Sequence, residues 1–155
     1  MITRRVGAVG MAVFALVAFT GVREARAQAP AGQSAAIAER TVWYFYKVRW
    51  GFQEEFVTLF KKNHLPVLMR EKAMGRIVSV EAEAPIYHAT EDGRWDLRIT
   101  IVWKDAATAH DNFDSSVIKK ELFPDQKTYD QEEQRRFEIL DAHWDVPVAS
   151  KALDK

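Results

Sequence analysis

His64 lies in the stretch NHLP, two places before Pro66, four after Phe60 and eight after Phe56. Residues spaced by four share one face of a helix, so a helical reading turns the imidazole toward the apolar side carrying both phenylalanines. Pro66 has no N–H to offer the carbonyl of Lys62, which leaves an acceptor free beside the ring. A histidine so placed has two uses. It can bind or deprotonate a small molecule, or it can close a helix whose dipole favours it. Arg98, inside the run DLRITIVW, has the fork geometry that suits a carboxylate ligand, and also a structural pairing with Glu81 or Glu83. Asp141, His143 and Asp145 alternate along one segment. Such a set can hold a divalent ion, but charges on an edge strand that discourage aggregation fit it better. His88 and His110 have no comparable surroundings.

These side chains need a scaffold. TVWYFYKVRW, 41–50, is rich in β-branched and aromatic residues and stops at Gly51, which predicts a strand. Its alternation puts Val42, Tyr44, Tyr46, Val48 and Trp50 on one face and Trp43, Phe45, Lys47 and Arg49 on the other. Large aromatics on both faces predict a central strand covered on both sides. FQEEFVTLFKKNH has helical spacing with Glu54 and Glu55 in the first turn. Pro66 interrupts it, so one kinked helix or two short ones are expected before a left-handed cap at Gly75.

Residues 76–103 read as a hairpin with a two-residue turn at Asp92-Gly93, setting Glu91 opposite Arg94. That register groups Ala82, Ala84, Ile86 and His88 with Leu97, Ile99, Ile101 and Trp103. Glu81, Glu83 and Tyr87 fall with Arg98 and Thr100. Asp105 is the expected N-cap of a short helix, a less regular helical stretch runs from Ser115 to Arg136, and 137–148 is the last strand. In that strand Leu140, Ala142, Trp144 and Val146 are expected to oppose Phe137, Ile139, Asp141, His143 and Asp145. The order β-α-β-β-α-β is that of a ferredoxin-like α+β fold, a four-stranded antiparallel sheet with helices on one face.

The ends set the compartment. Arg4 and Arg5 precede an apolar run from Val6 to Val22, followed by Ala25-Arg26-Ala27, the pattern of a secretory signal peptide cleaved between Ala27 and Gln28. An uncleaved anchor is the other reading, since the run is near the minimum span of roughly 17 residues. The expected layout is a leader at 1–27, a tether at 28–38, a domain at 39–149 and a polar tail at 150–155. Of 22 basic and 22 acidic residues, the leader carries four Arg and one Glu. The remainder holds 18 basic and 21 acidic side chains, with no basic stripe for nucleic acid. The chain has no cysteine, so no disulfide or thiolate chemistry is available in a periplasmic or secreted setting. GxSxG, HExxH, a phosphate-cradling glycine loop and a haem-attachment motif are all absent.

Helices on one side of the sheet would leave one aromatic face of the first strand bare, a patch that soluble monomers seldom expose. Two sheets packed face to face would cover it. In TVWYFYKVRWG, the NHLPVL helix ending, the GRI entry to the second strand and TIVWKDAATAH, the chain resembles the dimeric α/β-barrel superfamily over about residues 41–147. That group includes NIPSNAP-like and stress-responsive barrel proteins and cofactor-free monooxygenases. The resemblance implies a homodimer closing into an α/β barrel, and a cavity between helices and sheet with the histidine of His-x-Pro at its mouth. His64 is then the catalytic candidate, with Tyr44, Tyr46, Arg98, Trp103 and His143 as the ligand-binding set. No cofactor and no metal are expected. Two functions remain open. One is an exported binder of a small apolar or aromatic compound, extending to a cofactor-free oxidoreductase or isomerase. The other is a non-catalytic structural or accessory periplasmic dimer, needing no membrane after cleavage.

Overall fold

The structure is a computed structural model that describes residues 38–87, 89–151 and 153. The leader, its cleavage bond, most of the tether and His88 lie outside the described residues, among which no helix is long and apolar enough to cross a membrane.

The aromatic run forms β1, Arg40–Val48, and the chain reverses at Gly51, whose φ of +87° lies in the left-handed region. One continuous helical rod follows: α1, Gln53–Leu59; a π-helical turn, Phe60–His64; and α2, Leu65–Ala73. Pro66 sits in the first turn of α2, where its missing N–H breaks no helical ladder. The wide turn absorbs the disruption by closing Leu65 N–H onto Phe60 O, five residues back, so the rod neither stops nor divides. Gly75, at φ +74°, ends it as expected. Strands β2, Ile77–Glu83, and β3, Leu97–Trp103, come next. Then α3, Ala106–His110, starts from Asp105, whose side chain accepts the Thr108 N–H at 2.7 Å. Helices α4, Ser116–Leu122, and α5, Gln126–Glu138, lead to β4, Leu140–Val148. The sheet order is β2-β3-β1-β4 and every pairing is antiparallel. This is the ferredoxin-like α+β arrangement, with β1 central.

Other features differ from the sequence-based expectation. The β2–β3 connection is no two-residue turn. β2 ends at Glu83, and Asp92-Gly93 belong to a 3-10 turn, Glu91–Gly93, in a longer loop. The Arg94 guanidinium causes this. It is drawn inward to Val48 O at 2.9 Å and Asp96 at 2.5 Å, which carries the chain away from a tight reversal, and it still pairs with Glu91 at 3.3 Å. Glu83 therefore faces Arg98, and Ala82 faces Ile99. That register is four residues from the one a tight turn would give, and an even slip leaves every side chain on its expected face. Ala84, Ile86 and Tyr87 leave the strand for the loop.

Residues 137 and 138 are helical, not strand. Arg136, only 2% exposed, pairs bidentately with Glu133 one turn back at 2.9 and 2.8 Å, and Ile139 is buried at the helix end. A further difference concerns β4, where the register against β1 shifts between Lys47 and Val48. Lys47 pairs with Ala142 but Val48 with Leu140, leaving Asp141 as an extra residue. The bulge moves Leu140 to the face opposite Trp144 and aims Asp141 at Arg94, 3.3 Å away.

The helices cover one sheet face. Val42, Tyr46 and Val48 with Leu97, Ile99, Ile101 and Trp103 form the core beneath Phe56, Phe60 and Leu68. Trp50 does not join the Tyr44 face; it stands in the turn, 65% exposed, with Arg94 over its ring at 4.2 Å. On the opposite sheet face Phe45 stacks on Trp144 at 5.2 Å and meets Trp43 and Trp95 edge-on at 6.4 and 5.6 Å. Among the described residues, the aromatic partners within that cluster come from β1, β4 and the loop before β3, none from a helix.

Candidate functional site

The rod and the sheet leave a partly open cavity of about 190 Å³ between them, lined by Tyr44, Tyr46, His64, Leu68, Trp103 and the isoleucines Ile99 and Ile101. Strand alternation supplies most of the lining. Tyr44 and Tyr46 come from β1, and Ile99, Ile101 and Trp103 from the same face of β3. The rod supplies His64 at the end of the π-helical turn and Leu68 one turn later. The wider turn rotates the residues after Phe60, so that Asn63 is fully buried while His64 looks into the cavity with its ring 5.1 Å from Phe60.

The His64 imidazole is half-buried in an apolar setting. Burial, reinforced by the Arg136 charge, lowers its pKa to about 4, so it is neutral above that pH. A neutral imidazole both accepts and donates one hydrogen bond. Burial raises the Tyr46 phenol beyond ordinary reach and raises Tyr44 as well, so both hydroxyls are donors at physiological pH. The buried Trp103 indole beside it partly opposes that rise at Tyr44. The site thus combines a neutral base and two hydroxyls in an otherwise apolar slot.

The sheet brings part of the expected set together. Tyr44, Tyr46, Trp103 and His64 share the cavity. His143, expected with them, is not part of the cavity lining; it stands on the edge strand with its ring stacked on Tyr46 at 4.3 Å and 11°. Its Nδ1–H donates to Phe45 O at 2.8 Å, and Nε2 stands 3.2 Å from Asp145. Asp145 is in turn the cross-strand partner of Tyr44. Arg98 is elsewhere. It projects from the other sheet face, where Nε donates to Glu83 at 2.6 Å and its guanidinium lies 5.1 Å from the Trp43 ring centre. Among the described residues no group of three or more His, Asp or Glu comes together to hold a metal ion. Asp141, taken aside by the bulge, is engaged by Arg94 and Arg49 instead.

Sequence spacing pointed less directly to the support behind the ring. Arg136 is buried with its guanidinium 6.0 Å from the Phe56 and Phe60 rings, and Asn63 donates to Glu132 at 2.9 Å. Leu68, four residues after His64, follows the helical spacing that placed the histidine.

The depressed pKa predicts a pH dependence. The unfolded chain titrates His64 near 6.5 and the folded chain at about 4. Between these values the unfolded state holds the extra proton, so stability is complete above 6.5 and falls as the pH drops through the window. Allowing for partial exposure of the ring, the loss reaches about 2 kcal/mol. Urea midpoints at pH 7 and pH 5 should show this slope in the wild type and a flatter one in His64→Gln. Glu91, held at about 2 by Lys47 and Arg94, adds its own loss only below the ordinary carboxylate range.

No protein-family model matches the chain, nor does any curated sequence. Several solved structures are similar to it. A dimeric protein of unknown function and ferredoxin-like fold from Bacteroides fragilis is 9% identical, covers 71% of this chain and 94% of its own, and gives a TM-score of 0.43. A putative antibiotic biosynthesis monooxygenase from Bacteroides thetaiotaomicron is 9% identical over 77% of this chain and 93% of its own, with a TM-score of 0.42. A NIPSNAP domain protein from Burkholderia xenovorans is 13% identical over 76% and 99%, with a TM-score of 0.38. Similarities of this size carry no inference about chemistry or assembly. The fold stands on the strand order itself.

Proposed function

We propose that the protein is an exported homodimer that binds a small apolar or aromatic molecule in the cavity beside His64. The observation that supports this most is the cavity itself. Its volume of about 190 Å³ exceeds the roughly 150 Å³ that holds a benzene ring in an engineered apolar site. Its polar groups are few and convergent, as ligand sites require. The chemistry it suits is removal of a proton from the bound molecule by neutral His64, a step common to cofactor-free oxygenation and to isomerisation. A base of pKa about 4 is weak, so the proton must be an acidic one. Export to the periplasm or medium after cleavage at Ala27–Gln28 rests on the leader pattern alone.

Native mass spectrometry of protein from a periplasmic extract tests both parts. The expected result is a chain beginning at Gln28, recovered as a dimer that carries a small molecule. Full-length chain found only in membranes, or dimers that remain unoccupied when small aromatic compounds are supplied, would contradict the reading.

A further inference from the structure

Arg136 is the largest of the fully buried side chains among the described residues, although it carries a charge. Burying an arginine is costly, and a buried ion pair can often be replaced by apolar side chains of similar volume with no loss of stability. Stability alone therefore does not account for it. The pair is also oriented. Glu133, one turn back on α5, keeps 18% side-chain exposure and is the outer member, while the guanidinium points inward and stands 6.0 Å from the ring centres of both Phe56 and Phe60. Phe60 in turn stands 5.1 Å from the His64 ring, which puts the guanidinium within about 11 Å of the imidazole. The other charged or titratable groups that His64 meets are Lys119 on α4, His143 on β4 and Glu133 itself, and the Tyr44 and Tyr46 hydroxyls on β1 are neutral. On its own rod Lys62 is held by Glu132 at 2.5 Å. Of these charges only Arg136 is fully buried, so its field is the least screened.

We propose that Arg136 is a positioning residue for His64: its guanidinium, the inner end of the Glu133 pair, stands on the Phe60 side of the imidazole and keeps it unprotonated, ready to take a proton from a bound molecule. This rests on the reading of His64 as the base of the cavity and adds what holds it in that state. A proton taken by His64 places a second positive charge near a fixed one in a poorly solvated setting. At a separation near 11 Å and the effective dielectric of about 20 that suits protein interiors, the fixed charge moves the imidazole by about one pKa unit. It works against protonation, whereas Glu133, of opposite sign and farther out, works for it.

The test follows the imidazole resonances of the ¹⁵N-labelled full-length protein between pH 7 and pH 5, with the His64 signal identified by its absence in His64→Gln. Wild type is compared with Arg136→Met, which removes the charge, and with Glu133→Gln, which keeps an acceptor for Arg136. In Arg136→Met the imidazole should take up its proton about one pH unit higher than in the wild type, and in Glu133→Gln it should hold less of the proton at pH 5 than the wild type does. A merely structural role would loosen the packing around the ring in both variants and move both the same way, toward the ordinary value near 6.5. Both variants are checked first for a cooperative melt, and where Arg136→Met fails to fold, Glu133→Gln decides. A rise or no change in Glu133→Gln, or an unmoved His64 in a folded Arg136→Met, would overturn the inference and leave the cavity reading intact. Opposite movements in a protein that takes up no benzene would support the charge relation and contradict the cavity reading instead.

Discussion

Tyr46→Glu is expected to leave no cooperatively folded protein. Tyr46 is 4% exposed, with Phe56 and Phe60 at 5.1 and 5.8 Å and His143 stacked on its other side at 4.3 Å. A carboxylate there loses water and gains no partner, because Arg136, the nearest buried cation, is already held by Glu133. The penalty is several kcal/mol, with the lost ring packing added to it. A domain of this size has only about 5–15 kcal/mol in total. Circular dichroism and a urea titration check this; a cooperative transition near the wild-type midpoint would show that the helix-covered face is not the core.

Phe45→Glu, one residue away, should behave in the opposite way. Phe45 points to the open face, where it joins Trp43, Trp95 and Trp144, and no core residue depends on it. The monomer should stay folded. If two of these faces pack together, the new carboxylate lies inside the interface, opposite its own copy. A desolvation cost of about 4 kcal/mol weakens association roughly a thousandfold. Sedimentation at micromolar concentration should therefore give a wild-type dimer and a variant monomer. A wild-type monomer would end the homodimer proposal.

How much of this was legible in the sequence depends on the interaction range that decides each feature. The aromatic central strand, the Gly75 cap, the Asp105 cap and the β-α-β-β-α-β order follow from local rules, and the structure shows all four. Strand faces survived the mistaken hairpin turn because the slip was even, a consequence of the period of two. The turn was missed because Arg94 binds Val48 and Asp96, a contact across 46 residues that no dipeptide preference encodes. The start of β4 was missed for the same kind of reason, since the burial of Arg136 on its own helix outweighed the alternation that began at Phe137. At the site, Tyr44, Tyr46 and Trp103 could be placed by alternation and His64 by helical spacing. Arg98 could be given a face but no cavity, since alternation does not say which face the helices cover. The lowering of the His64 pKa depends on packing between elements distant in sequence.

His64 carries the central claim. His64→Ala removes the group that faces the cavity but leaves the Phe56, Phe60 and Tyr46 core in place. If the ring serves a ligand, the variant should melt close to the wild type, because the hydrogen bonding it loses is worth roughly 1 kcal/mol. Its retained small molecule should nevertheless fall tenfold or more, since a lost hydrogen bond in a largely apolar site costs on the order of 1.4 kcal/mol. Melting midpoint and ligand occupancy by native mass spectrometry, measured on one preparation of each protein, decide the matter. An unchanged midpoint with depleted ligand is the expected result; a destabilised His64→Ala that keeps its ligand would contradict a ligand-binding role for the ring.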